Sequence, residues 1–356
     1  MKCLRWMKRW LLLLIFLTAF VSGCAGPARK STFDLIRESP AAKMLLPDGY
    51  HCYRQAIGED GNPAWIAYYG LDDEPVINTK LKCHRVERTY LDAKHITSEA
   101  WFDTNWKPMT TGDTYCRIER EFDAAGNPIC ERTYDSDRKK IAREAGYDEL
   151  RQEFNEENRA KRIEYFLNDE PVLLENGYAA LEREYDEAGN VTYEKYFDTD
   201  GQPTEHAKGY GAIRRKYNEK KKVIYEAWYD MADQPMPVGG NTYYAVGREY
   251  DKAGNISLEK YFDEQDNLTL CKKGYAMVRR EYDNDKRIVC EKFFGTDGNP
   301  IKLADGAACY RYTYNEAGEK SAPKKYDLED HEIPEETPEP TADPDDAVGS
   351  LPHHTV

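Results

Sequence analysis

The chain has 356 residues, a net charge of -15 and 27 tyrosines. Residues 1–23 carry four Lys/Arg and no acid, and the last thirty carry ten Asp/Glu and no Lys/Arg, which leaves about -9 on residues 24–326. A mildly acidic body argues against nucleic acid, whose binders show a basic footprint, and aromatics spread evenly along the chain suit many thin layers better than one large core.

Met1 to Cys24 reads as a targeting segment. Lys2, Arg5, Lys8 and Arg9 precede a short apolar run, Trp10 to Val21, and then Val21-Ser22-Gly23-Cys24. The run has signal-peptide rather than membrane-span proportions. Small residues before a cysteine resemble the lipobox of bacterial lipoproteins. That resemblance implies cleavage after residue 23, acylation of Cys24 and anchoring in a lipid bilayer by several chains, each gaining about 0.8 kcal/mol per buried CH₂. With Ala25 rather than Asp next, it implies passage to the outer membrane where there is one. An ordinary cleaved signal and an uncleaved anchor are the alternatives. Residues 24–48 then form a linker, with room for one short helix near Phe33–Arg37.

From Gly49 to Asp327 one pattern recurs about every 32 residues. Its marker is Ile57, Tyr90, Phe122, Phe154, Tyr185, Tyr217, Tyr250, Tyr282 and Tyr314, and a second aromatic stands twelve residues later in every copy. Tyr commonly stands seven before the marker, preceded by Gly, and an apolar or aromatic residue stands four before it. In the copy beginning at Gly177 the pattern predicts a strand over Tyr178–Tyr185, a turn over Asp186–Asn190, a strand over Val191–Phe197 and a turn over Asp198–Pro203. Tyr, Phe, Val and Ile favour half-buried strands, and Gly-Asn pairs supply the positive φ of a tight reversal. The fold expected is all-β: a tandem array of hairpins, eight full copies plus a partial ninth, solenoid-like or a twisted extended sheet. A lone hairpin is marginal, so neighbours must stack and share aromatic faces.

Two finer patterns emerge between copies. Gly61, Gly126, Gly189, Gly254 and Gly318 mark the first turn of odd copies, where even copies hold Lys94, Asn158, Lys221 and Lys286. The unit is therefore read as a pair of hairpins. Arg two before the marker also goes with Glu nine after it: Arg88/Glu99, Arg120/Glu131, Arg183/Glu194, Arg215/Glu226, Arg248/Glu259 and Arg280/Glu291. Where the Arg is Gln55 or Gln152 the Glu is Ile66 or Ile163, and Tyr312 goes with Pro323. With a two-residue turn these positions are opposed, which predicts cross-strand ion pairs; a bulge would make them diagonal.

Catalytic signatures are not found. There is no Cys-x-x-Cys, Ser-His-Asp order, phosphate loop or HExxH. Cys130 and Cys290 share one repeat position and read as buried small hydrophobes, with disulfides possible in an exported chain. His51 and His84 read as exposed strand histidines. Asp198-Thr199-Asp200-Gly201 looks like half a calcium loop but lacks the closing Glu, so a turn is preferred. No cofactor, metal or enzymatic activity is expected. Residues 328–356, acidic and rich in proline, are expected to be disordered.

The halves REYDEAGN and REYDKAGN resemble the YD repeats of bacterial Rhs and wall-associated proteins, and YFDTDGQP resembles the aromatic hairpins of Gram-positive cell-wall-binding modules. The resemblance implies an extracytoplasmic hairpin array. The function expected is a non-catalytic, lipid-anchored surface protein of the cell membrane or outer membrane. Its repeats would bind a cell-wall glycan, another polymer or an envelope protein. Trp65, Trp101, Trp228 and Tyr261 are candidates for stacking on sugar rings, against the alternative that such rings cover one another. A structural spacer, and a small-ligand carrier or enzyme accessory subunit, are the other readings.

Overall fold

The computed structural model describes residues 45–237 and 239–334. The signal segment 1–23, the lipidation site Cys24, most of the 24–48 linker and most of the 328–356 tail lie outside the described residues. Two units follow one another, the first reaching Gly240 and the second starting at Asn241.

The first unit contains β1 (Cys52–Ile57), β2 (Pro63–Tyr69), β3 (Arg85–Tyr90), β4 (Ile96–Phe102), β5 (Arg117–Phe122), β6 (Pro128–Tyr134), β7 (Glu149–Phe154), β8 (Ala160–Leu167), β9 (Glu170–Pro171), β10 (Ala180–Tyr185), β11 (Val191–Phe197), β12 (Ala212–Tyr217) and β13 (Val223–Tyr229). The second contains β14 (Ala245–Tyr250), β15 (Ile256–Phe262), β16 (Met277–Tyr282), β17 (Ile288–Phe294), β18 (Cys309–Arg311), β19 (Lys324–Tyr326) and β20 (Glu332–Ile333). Among the described residues no helix forms, and all ladders are antiparallel. The all-β hairpin array read from the sequence is the observed fold.

Neighbouring hairpins do not lie face on face as separate layers. They join edge to edge by backbone hydrogen bonds: Tyr193–Lys195 of β11 pairs with Ala212–Arg214 of β12, after β10 and β11 have paired along their whole length. Shared ladders satisfy strand edges that stacked hairpins would leave open.

The turns are longer than the two-residue reversal expected. Asp186 N–H donates to Asn190 O at 3.0 Å and Gly189 N–H to Asp186 O at 3.0 Å, with Gly189 at φ 83°. This is a three-residue loop closed by a left-handed residue. Asp186 Oδ1 accepts Asn190 N–H and its Oδ2 accepts the Asn190 side-chain amide, each at 2.8 Å, which explains the Asp and Asn that bracket the loop. The longer loop shifts the register by one residue. A bulge then shifts it back: Tyr185 faces Val191 but Glu184 faces Tyr193, leaving Thr192 over. The two irregularities cancel, so Arg183 stands directly opposite Glu194.

Copies four, six and eight adopt the same left-handed loop without glycine, at Asn158 (φ 58°), Lys221 (φ 57°) and Lys286 (φ 63°), whereas Lys94 of copy two does not. Glycine has a steric cause at one loop: a Cβ on Gly126 would meet the His95 ring of the preceding even copy at 2.7 Å. At Gly189 the Arg159 guanidinium lies at ordinary contact distance. Arg159 also donates to the Glu187 carbonyl at 2.9 Å.

Between β11 and β12 the chain makes two turns rather than one. Asp198 to Gln202 closes the first, and His206 to Tyr210 closes the second with Gly209 at φ 80°. The sequence reading missed this last turn. Its left-handed residue is the Gly that so often precedes the conserved-position Tyr of the repeat.

Candidate functional site

Side chains alternate across each strand, so the sheet of each unit has two faces. One carries a column of rings. In the first unit Tyr147, Tyr165, Tyr178, Tyr196 and Tyr210 follow one another at centroid separations of 5.0, 6.1, 4.9 and 5.9 Å. In the second, Tyr243, Tyr261, Tyr275, Phe293 and Tyr310 are 4.6, 5.8, 4.9 and 5.0 Å apart. The column alternates between the residue seven before the marker and the one eleven after it, except that it ends on Tyr310, four before its marker. The marker tyrosines act across copies: Tyr185, Tyr217, Tyr282 and Tyr314 donate to the Ala160, Val191, Ile256 and Ile288 carbonyls of the preceding hairpin at 2.6–2.8 Å.

On the same face run the Arg–Glu pairs. In the first unit Arg88–Glu99, Arg120–Glu131, Arg183–Glu194 and Arg215–Glu226 are 2.5, 2.8, 2.7 and 3.0 Å apart. In the second, Arg248–Glu259 and Arg280–Glu291 are 3.6 and 2.9 Å apart. They are largely buried, and the second carboxylate oxygen is often taken by a tyrosine. Tyr196 donates to Glu194 and Tyr261 to Glu259 at 2.5 Å, and Tyr312 to Glu291 at 2.8 Å. Burial and the adjoining carboxylate push the Tyr196 hydroxyl well above its ordinary pKa, so it stays a donor. In copy four Gln152 faces Ile163, and the Gln152 amide donates to the Pro128 carbonyl instead.

Arg183→Gln should therefore cost about 2 kcal/mol, because Glu194 keeps its burial and loses its cation. Adding Glu194→Ile should recover part of that loss. A double-mutant cycle by urea denaturation measures the coupling, and a coupling of zero would refute the pairing as a stabilising contact.

Three of the four expected stacking rings are closed off from solvent, which corrects that reading. Trp101, Trp228 and Tyr261 are 8, 9 and 6% exposed. All three sit at the position eleven after the marker, within the ring column. Trp65 is half-buried, and its face is occupied by the Arg85 guanidinium, 4.3 Å from its centroid; the same guanidinium lies 4.5 Å from the Trp106 centroid. His84 is fully buried beside Tyr69 and Trp106, not exposed.

The opposite face was not singled out by the sequence reading. There an Arg three before the marker lies over the aromatic twelve after it. Arg54 covers Tyr69 at 4.1 Å and Arg151 covers Phe166 at 4.0 Å in the first unit; Arg311 covers Tyr326 at 4.1 Å in the second. Carboxylates hold the guanidinium heads at the rim, Asp73 for Arg54 and Asp330 for Arg311. In copy seven Gly247 replaces the Arg and the Phe262 ring drops onto its backbone, so close that a Cβ would lie 2.9 Å from it. The signal was present as Arg at that position in five copies, although Glu87, Glu119 and Glu182 take it in three others.

One place breaks the repeat. Where copies five, six and nine begin the strand with the small pairs Ala179-Ala180, Gly211-Ala212 and Ala308-Cys309, copy four has Asp148-Glu149, and Thr133 replaces a ring of the column. Glu149 is 1% exposed and bound by three cations: Lys140 at 2.7 Å, Arg151 at 2.7 Å and Arg132 at 2.9 Å. Arg132 continues to Glu121 and Lys140 to Asp169. Burial alone would raise the Glu149 carboxyl, but these hydrogen bonds outweigh it and hold it down at about 2. Beside this hub opens a groove of about 460 Å³ whose lining includes Cys130, Arg132, Arg151, Gln152, Arg162 and Glu164. The sequence reading passed over Glu149; comparing the strand-start column copy by copy would have found it.

The half calcium loop is a hairpin turn: Asp198 Oδ1 accepts Asp200 N–H at 2.9 Å and Gln202 N–H at 2.8 Å. Among the described residues no three His, Cys, Asp or Glu side chains gather as metal ligands would.

No protein-family model matches the chain, and no curated protein matches it. Among solved structures, a crystal structure of TcdB2-TccC3-TEV aligns with 79% of this chain at 12% identity and a TM-score of 0.27. TcdB2-TccC3 without its hypervariable C-terminal region aligns with 79% at 14% identity and 0.29, and a Photorhabdus luminescens Tc holotoxin pore with 77% at 12% and 0.26. The chain spans only 14–15% of the length of these structures. At such scores the likeness carries no argument, and the assignment of the fold rests on the strand pairing itself.

Proposed function

We propose that this chain is a non-catalytic repeat scaffold, anchored in a membrane through acylated Cys24, which docks a charged envelope partner along one face of its sheet. The supporting observation is the difference between the faces. One is closed by rings and ion pairs, whereas the other repeats Arg-over-ring cradles with carboxylate rims, as at Arg54/Tyr69 and Arg151/Phe166. Because the rings are capped by guanidinium groups, recognition would proceed through charge and hydrogen bonding rather than bare sugar stacking. Affinity should then fall with salt.

The test incubates the full mature protein with isolated cell-wall, polysaccharide and envelope-protein fractions. Retention by one fraction, lost by about 0.5 M salt and weakened at least tenfold in the Arg54→Glu/Arg311→Glu variant, is expected. Retention by none, or binding indifferent to both changes, would leave a spacer as the better reading. Separately, Cys24→Ser should release the protein from the membrane fraction.

A further inference from the structure

Within each unit the residue eight after a marker meets the residue five before the next one, so each such junction between copies contains one slot. Cys130 and Glu149 share it at 3.7 Å between copies three and four. In the second unit Cys290 and Cys309 share it, and their sulfurs are 3.3 Å apart. Cys290 faces Arg311 and Lys292 faces Cys309, so the thiols are diagonal neighbours on one face of the β17–β18 ladder. Both are buried, yet Cys290 borders a groove of about 610 Å³ that also reaches Lys292, Arg311 and Tyr326.

β18 and β19 pair over only three residues, and Tyr312 and Pro323 stand where the full copies of this unit have their Arg and Glu, so the last hairpin is the least firmly closed in its unit. A covalent link between β17 and β18 ties its first strand to the full hairpin before it.

We propose that Cys290 and Cys309 form a disulfide that staples β18–β19 to β17. The oxidant is a small or protein disulfide, of the kind maintained in the compartments that a signal segment leads to. Cys290 is the attacking thiol, because it borders the groove, and the hydrogen bond it shares with Cys309 lowers its pKa. Its thiolate displaces one thiolate from the oxidant and forms a mixed disulfide. Cys309 loses its proton to water in the groove, attacks the Cys290 sulfur and releases the second thiolate. One disulfide is thereby exchanged for another, and the oxidant leaves as two thiols. The remaining described cysteines, Cys52, Cys83, Cys116, Cys130 and Cys271, stay reduced.

The full chain is refolded from the reduced, denatured state in a buffer of oxidised and reduced glutathione, alkylated in denaturant and mapped by mass spectrometry. The expected result is one linked peptide pair containing Cys290 and Cys309, with every other cysteine of the chain alkylated. Melting of the oxidised protein should lie roughly 5 °C or more above that of the reduced protein. Cys309→Ser should remove the linked pair and the difference in melting together. Alkylation of both Cys290 and Cys309, or linkage of either to another cysteine, would overturn the assignment.

Discussion

Glu149→Gln is expected to destabilise the first unit by about 3–5 kcal/mol, since it leaves Lys140, Arg151 and Arg132 around a neutral group that nearly fills the same space. The hub also predicts a pH dependence. The carboxyl ionises at about 2 in the folded chain against 4.5 ordinarily, a difference worth about 3 kcal/mol. A depressed carboxyl stabilises fully above its unfolded pKa, and the benefit is lost as pH falls from about 4.5 through 2. Urea midpoints at pH 7 and pH 3 should therefore differ more in the native protein than in Glu149→Gln. Equal pH slopes in the two would show that Glu149 is not the titrating group. A conservative Glu149→Asp change, one methylene short of its three partners, should fall between them.

Tyr196→Ala should cost about 3–5 kcal/mol, because the ring is almost fully buried between Tyr178 and Tyr210 and its removal opens a cavity in the column. Tyr196→Phe isolates the hydroxyl and should cost only about 1–1.5 kcal/mol, the loss of the bond to Glu194. In a repeat array each copy leans on its nearest neighbours, so damage stays local. Hydrogen exchange should accelerate in β10–β12 of the alanine variant while β16 and β17 keep their protection. Uniform acceleration throughout the chain would show one cooperative block and refute nearest-neighbour stability.

The parts of the fold that repeat were readable because nine copies act as internal comparisons. The marker ends the first strand of each full hairpin and its partner twelve residues later stands at or beside the end of the second, and β11 spans the residues expected of it. Asp186, Gly189 and Asn190 are loop residues for reasons of local chemistry: a carboxylate to accept backbone N–H groups, and a glycine free to take a left-handed conformation. The second turn between β11 and β12 was overlooked because its left-handed Gly209 precedes a strongly aromatic position that draws attention to the strand.

The candidate site was less legible. Trp101 and Trp228 attract notice as large rings, yet exposure is a property of neighbours: each fills a step of a column whose other steps come from the adjacent hairpin. Arg54 and Arg151 attract none as single residues, although the rings fifteen positions later turn them into cradles. Glu149 looks like one acid among many until three cations from two hairpins close on it.

Local spacing thus determined that the chain makes hairpins, about how long they are and which residues turn, because strand alternation and loop chemistry act over a few residues. Tertiary structure alone decided that the hairpins join edge to edge, that a loop and a bulge compensate in register, and which face stays open. Those outcomes depend on backbone groups and side chains contributed by the next copy, and no residue carries a record of them by itself.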